Sequence, residues 1–144
     1  METPETNDTK EYKSKYGGDP DTLNMDYVHT EAHQMTYDFS LYIHKKVLKF
    51  PKYEKFTLSK EIMETIDELM DELETYEKSK TISHLYNADR LKGRLVRKIR
   101  TAHDLKYSAM NSRVYSYCSK QLGCIGARIG GLIKAAQSEK RNCK

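Results

Sequence analysis

Apolar residues recur at three- and four-residue steps over four stretches of the chain, and each stretch predicts an amphipathic helix. The first runs from about Thr30 to Leu48, with Ala32, Met35, Phe39, Tyr42, Ile43 and Val47 on one face. Phe50-Pro51 stops it, because the residue before a proline is pushed out of the helical region. A basic, aromatic loop follows, carrying Lys49, Lys52, Tyr53, Lys55 and Phe56. Thr57 is placed to cap the second helix with its hydroxyl. There Leu58, Ile62, Ile66, Leu69, Leu73 and Tyr76 come close to a heptad seam. The third helix, about Ser83 to Leu105, turns Leu85, Ala88, Leu91, Leu95, Ile99 and Ala102 to the core. The fourth, about Ser112 to Ala136, does so with Val114, Cys118, Leu122, Ile125, Ile129, Leu132 and Ala136. Helices of about 20 residues are each roughly 30 Å long, and short loops favour antiparallel neighbours. The expected fold is all-α, an antiparallel four-helix bundle over residues 29–137. Residues 1–28 read as a flexible polar tail, too poor in aliphatic side chains to offset the entropy of ordering. Residues 138–144 read as a basic C-terminal tail.

Composition sets the class. The chain has 144 residues, 38% of them hydrophobic and 32% charged, which suits one domain of helices with one apolar stripe each. No apolar run approaches the roughly 20 residues needed to span a bilayer, so no membrane partner is expected. The polar, acidic start is unlike a signal peptide, and a cytoplasmic protein is expected. Cys118, Cys124 and Cys143 show no Cys-x-x-Cys spacing, and Cys118 falls on an apolar stripe as a small hydrophobe.

Charge changes the picture more. Residues 1–79 hold 10 Lys/Arg against 18 Asp/Glu, whereas residues 80–144 hold 15 against 3. A net charge of +4 therefore hides a strong separation of sign. The acids concentrate on the second helix, at Glu61, Glu64, Asp67, Glu68, Asp71, Glu72, Glu74 and Glu77. On the third helix Arg90, Arg94 and Arg97 fall within about 60° of one another, opposite the core stripe. Lys98 and Arg100 widen that stripe, and Arg113, Lys120 and Lys134 share the far side of the fourth helix. A basic face of this kind suits a polyanion, and the arginine fork suits phosphate. The bland alternative is a solvated face whose cations pair with the acidic second helix; Lys92 and Lys106, nearer the apolar side, are read that way. No RNA-stacking sheet, helix-turn-helix or zinc-finger signature is present, so recognition by backbone and shape is expected.

Gly123, Gly126 and Gly130 share a third face of the last helix. Each costs a helix interior roughly 1 kcal/mol relative to alanine, so a compensating contact is expected, either with another subunit or within one bundle. His29 and His33 stand four apart, but no second cluster completes a metal site. His103-Asp104 has no nucleophile beside it and is read as the cationic end of the third helix. The second helix lacks the Glu-x-x-His pairs of a di-iron bundle. No catalytic residue, metal or cofactor is expected, and the chain is read as a non-enzyme.

Particular residues carry a family resemblance. Tyr37-Asp38-Phe39 leads to Lys49-Phe50-Pro51-Lys52, then Phe56-Thr57-Leu58 and Glu61-Ile62. Later come Ala102-His103-Asp104-Leu105-Lys106 and Ile125-Gly126-Ala127-Arg128-Ile129-Gly130-Gly131-Leu132-Ile133-Lys134. Over about residues 34–135 the chain resembles the accessory variability determinant (Avd) of diversity-generating retroelements. Leu132 departs from the pattern, standing where many relatives have tryptophan. The resemblance implies a homopentameric barrel of bundles that binds the retroelement's reverse transcriptase and RNA, with DNA or an RNA/DNA hybrid as a further ligand, in mutagenic retrohoming. The sister group, bundles encoded within intervening sequences of 23S rRNA genes, shares that architecture, and the alternative is a scaffold of this type in which the aromatic loop at Tyr53 and Phe56 docks a protein partner and the basic face is incidental.

Overall fold

The structure, a computed structural model, describes residues 30–142, which form four helices: α1 (Glu31–Val47), α2 (Leu58–Ser79), α3 (Ile82–Asp104) and α4 (Ser112–Asn142). No strand occurs among the described residues. The expected N-terminal tail, His29 and Cys143 lie outside them. Every residue of the four expected core stripes is buried or half-buried, and Ile43, Ile62, Leu73, Leu95, Ile125 and Ile129 lose all or nearly all contact with solvent. Burying a side chain of this size contributes roughly 1.5–3 kcal/mol, so the shared core holds the four helices in one bundle.

The connections explain where each helix stops. Thr30 caps α1: its hydroxyl oxygen accepts the His33 N–H at 3.1 Å, and its own N–H and O–H donate to Glu77 at 2.6 and 2.9 Å. The last turn of α2 thus anchors the first turn of α1. The start of α2 departs from expectation, because Thr57 makes no side-chain bond to the helix. Glu54 replaces it, accepting the Leu58 N–H at 3.2 Å together with the hydroxyl protons of Thr57 and Tyr107. Those bonds, first from Thr57 and then from Tyr107, hold the Glu54 carboxyl below its usual range. They also fasten the loop after α1 to the loop after α3. Only Lys80 and Thr81 separate α2 from α3, and Lys80 takes the left-handed conformation at φ 57°. Lys106, at φ 64°, closes α3 in the same way, with Tyr107 N–H bonded to the Ala102 carbonyl at 3.3 Å. Asn111 caps α4 by accepting the Val114 N–H at 3.0 Å.

Around the bundle, α1 touches α2, α2 touches α3, α3 touches α4, and α4 returns to α1, with the most extensive contact between α2 and α3. Along that pair Glu72 meets His84, Glu68 meets Arg94 and Glu61 meets Lys98, so residue numbers fall on α2 as they rise on α3. The helix α4 continues to Asn142, through residues expected to form a basic tail. Ala135, Ala136, Gln137, Glu139, Lys140 and Arg141 are good helix formers, and neither glycine of the Gly130-Gly131 pair takes a positive φ to break it.

Candidate nucleic-acid interface

The core stripe of α3 leaves its cations on two different flanks. Arg94 and Lys98 lie on the flank facing α2. The Arg94 guanidinium donates to Glu68 at 2.7 Å and to the Thr65 hydroxyl at 3.2 Å, and the Lys98 ammonium donates to Glu61 at 2.9 Å. Asn87 and His84 extend this seam through Glu72, at 3.3 and 2.9 Å. Opposite charges at close range hold Arg94 and Lys98 against α2.

Arg90 and Arg97 lie on the other flank. Both are exposed, and neither makes an ion pair among the described residues. Arg100 stands beside them and meets Asp104 one turn along its own helix at 3.5 Å. With both side chains more than 60% exposed, that contact is screened by water and is worth at most a few tenths of a kcal/mol. Hence α3 presents Arg90, Arg97 and Arg100 to solvent, and it holds Arg94 and Lys98 in the seam.

Arg113, Lys120 and Lys134 on α4 are exposed and make no ion pair among the described residues. At 100° per residue they fall within about 60° of one another, spread over roughly 30 Å of helix. Between them the surface is made of small residues, Ser116, Gly123 and Ala127. Among the described residues, a β-carbon added at Gly123 or Gly130 would meet nothing within 4 Å, so their packing does not account for either glycine. Gly126 differs: the Lys92 side chain passes over it, with Cε 2.9 Å from where a β-carbon would sit. The lysine stem from α3 occupies the gap that the missing side chain leaves, which gives Lys92 a packing role. Arg128, in the same helix, is tied to Glu31 of α1 at 3.2 Å. The sequence assigns Arg128 no site role, because helical phase does not tell which neighbouring helix that side of α4 faces.

The remaining candidate chemistry resolves into structure. His103 ends α3 as expected, with its ring stacked on Tyr115 at 4.3 Å and Nδ1–H donating to the Met110 carbonyl at 3.0 Å. His33 is buried with Nε2 2.9 Å from Glu74. Among the described residues no group of three His, Cys, Asp or Glu side chains is arranged to hold a metal ion. Burial pushes the Cys118 thiol up to about 12, which leaves it protonated and inert, whereas Cys124 is exposed. No helix among the described residues is long and apolar enough to cross a membrane.

No curated protein and no solved structure matches the chain. Residues 32–136, which run from the first turn of α1 into α4, match the family described as bAvd-like, and the chain belongs to that family.

Proposed function

From that membership we propose that the protein is a non-catalytic, nucleic-acid-binding accessory subunit of a diversity-generating retroelement reverse transcriptase. In this reading it is an antiparallel bundle that assembles into a homopentamer and holds template RNA, and DNA or an RNA/DNA hybrid, for the polymerase. The observation that carries the reading is the exposed set Arg90, Arg97, Arg113, Lys120 and Lys134, free of ion pairs among the described residues and displaced from the acids of α2. Such cations release counterions when they meet phosphates, which ties affinity to ionic strength. The arginine fork adds two hydrogen bonds to one phosphate. A ring of copies would repeat the stripe and raise the effective concentration of each weak contact.

The test is the affinity of the purified protein for a structured RNA, measured across salt concentrations. Binding that weakens steeply with salt is expected, with the logarithmic slope reporting the number of phosphates neutralised. Negligible binding at low salt overturns the reading and leaves the basic surface to a protein partner.

A further inference from the structure

The connection between α1 and α2 repeats one kind of dipeptide: Lys49-Phe50, Lys52-Tyr53 and Lys55-Phe56 follow one another at three-residue steps. The backbone matches that period. Lys52–Glu54 form a 3₁₀ turn, in which Glu54 N–H donates to the Pro51 carbonyl and Lys55 N–H to that of Lys52. The Thr57 N–H, bonded to the Glu54 carbonyl, carries the winding on. Side chains three apart eclipse in such a turn, so lysine follows lysine and ring follows ring, about 6 Å apart along the axis. Phe50 is spent on the core, but Tyr53 is 75% and Phe56 77% exposed. The Lys55 ammonium lies over the Phe56 ring, 5.5 Å from its centre. Lys49, Lys52 and Lys55 are exposed and make no ion pair among the described residues, because Glu54, the acid between them, is turned to Thr57 and Tyr107.

A ring in water beside a cation offers a face for a base and a charge for its phosphate. We infer that this turn is a stacking platform for unpaired nucleotides, with bases packed on Tyr53 and Phe56 and phosphates held by Lys49, Lys52 and Lys55. The inference rests on the nucleic-acid reading and deepens it: the outward cations of α3 grip any backbone, whereas the rings take only bases that are not already paired and stacked. It requires no sequence readout, since every base has a π-face. The position fits. Tyr53 packs on Tyr107 with ring centroids 6.5 Å apart, and the exposed Lys106 precedes Tyr107 at the end of α3, just past the Arg100–Asp104 pair. The platform therefore adjoins the end of the basic flank. Beside it a groove of about 630 Å³, lined by Leu48, Pro51 and Met63 together with Lys52 and Lys55, leaves the approach open. An anionic bilayer also takes rings and lysines, but it draws the rings inward and the ammonium groups out to the headgroups. Here the Lys55 ammonium and the Phe56 ring are presented together.

The test compares the affinity of the full chain for a short oligouridine and for a blunt RNA duplex of equal length. Y53A/F56A should weaken oligouridine binding at least about tenfold and leave the duplex unchanged. Y53L/F56L should weaken it as much, because leucine keeps the apolar bulk and has no ring face, while Y53F/F56Y should bind as the parent does. Photo-cross-links from 5-iodouridine should fall on the peptide that holds Tyr53 and Phe56. A duplex that binds beside an oligouridine affinity unmoved by Y53A/F56A overturns the platform and leaves the nucleic-acid reading standing. An equal loss for duplex and oligouridine overturns it as well, as does full affinity in Y53L/F56L. Binding of neither RNA by the parent chain defeats both readings. Capture by phosphatidylserine vesicles that Y53A/F56A abolishes, with oligouridine affinity unmoved, gives the turn to a lipid surface instead.

Discussion

The two flanks of α3 carry the same residue types and differ in what faces them. Toward α2, Arg94 and Lys98 meet Glu68 and Glu61 within 3 Å. Away from α2, Arg90 and Arg97 meet water. A turn of helix is enough to move an arginine from one fate to the other. The lesson is that a basic helix is not a basic surface: on the seam the cations fix a neighbour, and only the outward remainder is offered to a ligand.

The sharpest way to break this comparison is R90E/R97E. RNA affinity at low salt should fall at least tenfold, about 1.4 kcal/mol, and the salt slope should drop by roughly two. Unchanged affinity would mean that the outward flank is idle. Reversing the other flank, R94E/K98E, should act mainly on folding. It sets like charges against Glu61 and Glu68, and the urea midpoint should report a loss of about 1 kcal/mol that E61K/E68K restores. If R94E/K98E instead keeps its stability and loses RNA as R90E/R97E does, the two flanks are equivalent and the comparison fails. The smallest change probes the outer face of α4. Gly123→Ala and Gly130→Ala introduce methyl groups that meet none of the described residues, and each should raise the thermal midpoint slightly, reflecting a stabilisation of up to about 1 kcal/mol. Loss of an oligomer in sedimentation, with that midpoint raised, would mark the face as a close subunit contact.

Much of the fold was legible because helical period is a local property. The stripes of α2 and α3 are strict, and the structure buries all of their residues but Tyr76, which is half-buried. Thr57 was misread because propensity for a cap says nothing about a rival acceptor: Glu54, three residues earlier, takes the hydroxyl proton and the Leu58 N–H together. The reach of α4 past Ala136 was missed because a polar, charged stretch has no apolar period to announce it. For the candidate site the limit was angular. Arg90, Arg94 and Arg97 share an arc of about 60°, and helix phase alone does not tell which side of that arc the next helix covers. The two fates of the glycines were hidden likewise, since only packing shows that Lys92 crosses Gly126 and that none of the described residues crosses Gly123.

The turn between α2 and α3 has a kinetic side. With only Lys80 and Thr81 between the helices, bringing these two together closes the shortest loop in the bundle and forfeits the least chain entropy. The same pair has the most extensive contact and the seam of opposite charges. Local, strongly contacting hairpins of this kind favour early formation and fast folding. The acidic and basic halves of the chain would then be in register before α1 and α4 arrive, so the charge segregation that exposes Arg90 and Arg97 is fixed at the first step of assembly.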